Sequence, residues 1–483
     1  VLSLAYNRLV DIPTGTLGKK TSIDQLYLSG NALTTLPEDF EDISTLRVLC
    51  LNGNRFRTLP ADLSQLYNLE VIDVGSNELK YNTSNSRYEW NWKSNINLRY
   101  LNLSGNKKLE ITEDLNLPRL RLLGLMDLTL TTQSMPDESI DIRVRTTPST
   151  IGNMSYGISD RVNKHILARD SVFEKIAGGT LIGLFDGIYS GKISHLIREN
   201  FHKIFEKELG KSDIVTALRH TFLALNQVIN HSDLNSEDGL TGSSATVLYI
   251  KEKKIYTANI GDSTAMLAKT DGSFTFLTVN HQPSSVVEFE RIRTSGGFVS
   301  NNDKLDGVSK VSRAAGFSDL LPHIHSGPDI SEVNFHDEVL VLGTKELFDY
   351  LPTKTIGDIV RESDNPMVTA EKLRDYAISY GCTSKCTAIV ISMTKAKKRL
   401  QPAVKQQVED SNLRRLKPEI QPPVGELAMV FTDIKNSTLL WENYPLAMRS
   451  AIRTHNDIMR RQLHIVGGYE VKTEGDAFMV SFP

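Results

Sequence analysis

The chain has 483 residues, too many for one hydrophobic core, so two to four domains are expected. Its 55 basic and 58 acidic residues leave a formal charge of -3, which gives no electrostatic reason to expect a nucleic-acid or membrane-surface binder. The three cysteines, Cys50, Cys382 and Cys386, make no disulfide framework and point to a reducing compartment.

No apolar run approaches the ~18–20 residues needed to cross a bilayer. The opening "VLSLAYNRLVDIP" lacks the basic and apolar regions of a signal peptide, lacks a methionine and starts inside a repeat. Both ends read as cut, so an interior piece of a longer protein is expected. Cys382 and Cys386 are spaced C-x3-C without a second pair or a histidine cluster, and buried or surface thiols are expected there rather than zinc.

The first third repeats the template L-x-L-x-x-N-x-L. Its asparagines fall at Asn7, Asn31, Asn54 and Asn77, with Asn106 after a longer insertion. A period of 23 to 24 residues matches a leucine-rich repeat. Each L-x-L predicts a short strand with both leucines inward, and each asparagine can satisfy backbone groups where the chain turns away. "LRLLGLMDLTL" (Leu120–Leu130) reads as a degenerate closing repeat. A stack over residues 1–135 is expected to offer a concave surface to a protein partner.

From about Ile151 the pattern changes to strands separated by helices. "GTLIGLFDG", "SSATVLYI", "KIYTANIGDS", "DEVLVLGT" and "TAIVISM" predict strands; "KISHLIRENFHKIFEKEL" and "DIVTALRHTFLALNQVINH" predict helices. The order of "FDG", "GSSATV", "NIGDST", "VSRAAG", "LGT" and "CTAIVIS" resembles the metal-dependent Ser/Thr phosphatase 2C family, over residues 140–394. The resemblance implies an α+β sandwich whose Mg²⁺ or Mn²⁺ ions activate water. It also implies metal roles for Asp170, Asp186, Gly187 and Asp262. Yet Arg169 stands where the family has a glutamate, Thr344 and Ser384 stand where it has aspartates, and Lys385 adds a positive charge. Hard cations need several convergent carboxylates, so a vestigial, inactive site is expected.

Residues 395–424 read as a linker, with prolines at 402, 418, 422 and 423 and mixed charge. Residues 425–483 follow. There "LAMVFTDI" predicts a buried central strand ending in Asp433, Pro445 interrupts a helical pattern that runs to "GG", and "YEVKTEGDAFMVSF" predicts a hairpin. Strand, helix and hairpin make the first half of a split β-α-β, ferredoxin-like fold.

"FTDIKNST" with "GYEVKTEGDAFMVSF" resembles the start of a class III nucleotide cyclase domain, and the order of the whole chain resembles the fungal adenylate cyclases. That resemblance implies conversion of ATP to 3′,5′-cyclic AMP and pyrophosphate with two Mg²⁺ ions per site, Mn²⁺ being an alternative. Asp433, Asp476 and the Ile434 carbonyl would hold the ions, Lys472 would read adenine, and Gly475 would let the turn approach the triphosphate. It further implies a second cyclase domain in a homodimer, the small GTPase Ras as partner of the repeats, and a cytoplasmic enzyme that reaches the membrane through that partner. The residues that complete such a site lie beyond Pro483, so this chain alone is expected to make no cyclic AMP. The readings that compete with it are a leucine-rich-repeat phosphatase of the 2C family and a scaffold with two dead enzyme-like domains.

Overall fold

A computed structural model describes the chain except for residues 18–21, 60, 81–91, 133, 162–168, 233–238, 270–272, 336–337, 394–422, 475 and 483. The expected linker lies almost wholly outside the described residues. Two compact units are present, Val1–Ala403 and Val404–Pro483.

The repeats form a parallel seven-stranded sheet: β1 (Leu2–Ser3), β2 (Gln25–Tyr27), β3 (Val48–Cys50), β4 (Val71–Asp73), β5 (Tyr100–Asn102), β6 (Leu122–Gly124) and β7 (Arg143–Arg145). β7 carries the sheet past residue 135, because Arg143–Arg145 pairs in register with Leu122–Gly124. Leu26, Leu28, Leu49, Leu51, Leu101 and Leu103 are buried in one continuous core. The asparagines act as the template requires. Asn54 Oδ1 accepts from the Leu33 N–H at 3.1 Å, and its Nδ2 donates to the carbonyls of Leu28 and Leu51 at 2.9 and 2.8 Å. Each repeat thereby ties the turn of its neighbour.

Two further sheets lie face to face. One runs β8 (Met154–Arg161), β16 (Cys386–Met393), β15 (Val339–Gly343), β13 (Thr264–Ala268), with short flanking strands Thr150–Ile151 and Phe274–Phe276. The other runs β9 (Arg169–Ile176), β10 (Gly179–Ile188), β11 (Gly242–Lys251), β12 (Lys254–Ile260), β14 (Asp329–Asn334). Tyr156, Leu184, Leu248, Leu267, Leu342 and Ile391 interlock between them. Helices α1 (Lys192–Leu209) and α2 (Ile214–Asn230) cover the outer face of the second sheet with Ile197, Phe201, Phe205 and Phe222. Asp213 starts α2 by accepting from the Thr216 N–H at 3.1 Å. Helix α3 (Pro366–Ser379) lies against β8 and β16.

The concave side of the repeats is not left open, as the sequence suggests, but carries α3. Arg374, buried, is ion-paired with Asp73 of β4 and Asp375, and donates to Asn52 Oδ1 at 3.1 Å. Asp375 Oδ2 accepts from the Tyr6 hydroxyl at 2.9 Å and from Asn52 Nδ2 at 3.1 Å. Ser76 donates to Glu371 at 3.1 Å. Residues between the leucines of each L-x-L point to this side, so short polar side chains there meet one amphipathic helix. Repeats and sandwich therefore form one compact unit.

The second unit has strands β17 (Ala428–Thr432), β18 (Tyr469–Glu474) and β19 (Ala477–Phe482) in the order β17-β19-β18, with helices α4 (Ser437–Asn443) and α5 (Pro445–Val466). Pro445 opens α5 at its first turn, where a missing N–H costs nothing. Gly467 closes it with φ +73°, and its N–H reaches the Leu463 carbonyl. Leu463, Phe478 and Val480 make a small core. β17 departs from the buried central strand expected of it. Among the described residues it pairs with β19 alone, and its residues are mostly exposed, Phe431 at 68 %. An apolar run records a strand that can be buried on both faces, not whether the described residues supply both covers.

Candidate functional site

In the second unit, chain direction brings two carboxylates to one sheet edge. Thr432, at the end of β17, pairs with Phe478 of β19, so Asp433 leaves one strand where Asp476 enters the other. Asp476 Oδ2 accepts from the Ile434 N–H at 3.3 Å. Burial acts to raise the Asp476 pKa, but hydrogen bonds from Ser437 and the Ile434 N–H, with Asp433 also in hydrogen-bonding reach, outweigh it and hold the carboxyl below its ordinary value. Asp476 is thus ionised at neutral pH beside Asp433. Directly after Asp433 the chain turns tightly, Asn436 at φ +61° and the Ser437 N–H on the Ile434 carbonyl at 3.1 Å. Ser437 is a site residue that the sequence motif alone does not single out; its spacing from Asp433, not its type, is the available signal.

Lys472 lies in β18 opposite Met479, directly after a register shift between Glu470 and Lys472. Such a bulge re-aims the side chains that follow it. Lys472 is exposed. Gly475 lies outside the described residues.

These donors suit magnesium: two carboxylates and a strand-end carbonyl leave positions for water and phosphate oxygens, the usual composition of a nucleotide-bound Mg²⁺ site. Among the described residues no group of three or more His, Cys, Asp or Glu could hold an ion by itself.

The phosphatase-like unit has a different outcome. Asp186, near the end of β10, and Gly187 face Lys385, whose Nζ donates to Asp186 Oδ1 and to the Gly187 carbonyl at 3.1 Å each. An ammonium thus bonds the two groups that the resemblance assigns to a dication. Asp262 is near: burial, then the charges of Asp186 and Glu346, push its pKa up to about 6, and Ser244 donates to it at 3.3 Å. Asp170 is not brought to this cluster. Register pairs Arg169, not Asp170, with Asp186, so the Asp170 side chain takes the opposite face. There it is fully buried in an ion pair with Arg143 of β7 at 2.5 Å. Thr344 is buried and its hydroxyl accepts from the Thr387 N–H at 3.2 Å. Ser384 receives the Cys382 thiol on its carbonyl at 3.5 Å. This donor set does not fit a two-metal site, and no chemistry is derived through one. Cys382 and Cys386 are both buried thiols.

Known proteins agree with this arrangement. Residues 1–56 match the leucine rich repeat family, 165–386 protein phosphatase 2C, and 420–482 the adenylate and guanylate cyclase catalytic domain. An adenylate cyclase of Lachancea kluyveri is 52% identical over 100% of this chain and 29% of its own length. One of Podospora anserina is 41% identical over 85% of this chain and 23% of its own. A probable protein phosphatase 2C of Arabidopsis thaliana is 26% identical over 67% of this chain and 92% of its own. The chain thus spans under a third of the length of the cyclases just named.

Proposed function

We propose that this chain, related along its whole length to the fungal adenylate cyclases, contributes the nucleotide-binding edge of an enzyme that converts ATP to 3′,5′-cyclic AMP and pyrophosphate. The observation that carries the reading is the meeting of Asp433 and Asp476 at one sheet edge. In the reaction the ribose 3′-oxygen bonds the α-phosphorus, the bond to pyrophosphate breaks, and the hydroxyl proton is lost. Asp433, Asp476 and the Ile434 carbonyl would hold Mg²⁺ or Mn²⁺, which when bound acidifies the hydroxyl and offsets phosphate charge. Asp476 is pre-set for this by its hydrogen bonds, which keep it ionised and fix its rotamer. Lys472, re-aimed by the bulge, donates to the adenine ring; Gly475 gives the turn close approach to the triphosphate.

The sheet order β17-β19-β18 supports a ferredoxin-like domain, which orders its first three strands 1-3-2 and places a fourth beside the first. The exposed edge and face of β17 are then where the remainder of the domain and a second cyclase domain pack. We assign the domains as repeats over 1–135 that β7 extends to Arg145, then the sandwich to 394, a linker over 395–424 and the cyclase piece over 425–483, with the repeats taking input from a Ras-type GTPase on surfaces that α3 does not cover. No helix of the described residues is long and apolar enough to cross a membrane, and membrane contact is assigned to that partner. The test uses the complete gene product. Asp476→Asn should lower cyclic AMP formation at least about a hundredfold, since even residues that merely orient a metal ligand are worth 10–100-fold. Lys472→Glu should lower the use of ATP relative to GTP. Retention of activity by Asp476→Asn would refute the reading. The phosphatase alternative is disfavoured by Lys385 on Asp186.

A further inference from the structure

One register position recurs along the repeats, directly before the strand. Backbone hydrogen bonds link it from repeat to repeat: Glu70 N–H to the Arg47 carbonyl, Arg99 to Glu70, and Arg121 to Arg99, each at 2.8 Å. Side chains along this row stand one strand spacing, about 4.8 Å, apart at the backbone. Arg47 and Glu70 are matched to each other at 2.5 Å.

Arg99 and Arg121 are not matched. They are neighbours of like charge, and among the described residues neither has an acidic partner; Arg121 Nε is buried without a hydrogen bond. Like charges side by side on adjacent strands repel. The two line a recess of about 380 Å³ with Arg119 and Asn97. Arg99 also borders a second cavity of about 470 Å³, between the repeats and the sandwich. In that cavity Glu70, Asp73 and Asp160 are taken by Arg47, Arg374 and Arg145 respectively, while among the described residues Arg161 of β8 has no acidic partner.

We propose that this row is a binding site for a small phosphate-bearing ligand, anchored by Arg99 and Arg121 and reached from across the cavity by Arg161. The charge to be matched exceeds what one carboxylate supplies, whereas a phosphate group carries about -1.5 to -2 at neutral pH. Guanidinium forks suit phosphate oxygens in pairs. Cavities of this size suit a small molecule, and Arg99 is half-buried, so a soluble ligand fits the recess better than a membrane surface. A ligand here would touch both the repeats and the sandwich.

The test uses the whole chain with Asp433→Asn and Asp476→Asn and with EDTA present, which silences the nucleotide edge. Inorganic pyrophosphate is titrated by calorimetry and thermal unfolding. Binding is expected, weakened at least tenfold by Arg99→Gln with Arg121→Gln and severalfold by Arg161→Gln. Without ligand the double variant should unfold at the same or a higher temperature, because its repulsion is gone. Arg219→Gln, on exposed α2 surface, should change nothing. Absent binding, equal binding by the double variant, or a double variant that is less stable without ligand would each overturn the proposal. So would capture by phosphoinositide vesicles of a chain that ignores pyrophosphate.

Discussion

Replacing Arg374 by methionine tests how the repeats and the sandwich are held together. The side chain keeps an unbranched, flexible stem and loses its guanidinium and its charge. Arg374 is 3 % exposed, Asp73 0 % and Asp375 2 %, so two carboxylates are stranded in a site that water does not reach. Removing one member of a buried ion pair costs about 3–5 kcal/mol. The upper half of that range is expected here, because two carboxylates lose the same cation and Asn52 Oδ1 keeps only the Ser29 hydroxyl of its two donors. Glu371 adds nothing in return, since burial and the Asp73 charge already push its carboxyl well above the usual range. Guanidinium unfolding of the whole chain reads the cost. Asp73→Asn should then be far less harmful in the Arg374→Met background than in the parent, a coupling that a double-mutant cycle isolates. A loss under about 1 kcal/mol, or additive losses, would mean that the junction is held by apolar packing and that the ion cluster is incidental.

Three further outcomes follow from named contacts. Asn54→Ala leaves the Leu33 N–H without its acceptor, while the Leu28 and Leu51 carbonyls each keep a second donor in Asn31 and Asn77, and should lower stability by about 1–2 kcal/mol, read from the same unfolding curves. Burial alone would raise the Glu288 pKa, but bonds from Arg313 with the charge of Arg291 bring it to about 2. A depressed carboxylate adds stability above about pH 4.5 and loses it as pH falls towards 2, so Glu288→Gln should cost about 2 kcal/mol at pH 7, after allowing for solvent screening, and nothing at pH 2. With Lys385 on Asp186 and Gly187, the chain should hydrolyse no p-nitrophenyl phosphate with millimolar Mn²⁺; metal-dependent turnover would contradict the misfit described above.

The sequence made the repeats legible because each is specified locally: leucines two apart and an asparagine three after the second, within one turn of the solenoid. Helix α1 coincides with the amphipathic stretch "KISHLIRENFHKIFEKEL" for the same reason. The junction was not legible. Asp73 and Arg374 are some three hundred positions apart, and nothing near either residue says that a concave surface will receive a helix of the same chain. Asp170 is a different case. The resemblance gave it a metal role although Arg169 before it already departs from the motif, and strand alternation turns it away from Asp186 and gives it to Arg143. At the nucleotide edge the two aspartates were readable from motif alone, while the support from Ser437 and the Ile434 N–H depends on a tight turn with Asn436 in the left-handed region.

The central claim is that Asp433 and Asp476 jointly hold metal at a nucleotide. It is tested most directly by an electron paramagnetic resonance titration of Mn²⁺ into the complete enzyme with 3′-deoxy-ATP, which lacks the attacking hydroxyl. Tight manganese binding that needs the nucleotide, and that disappears when either aspartate becomes asparagine, is the result expected. Manganese bound with the same stoichiometry and affinity in Asp433→Asn with Asp476→Asn would contradict it.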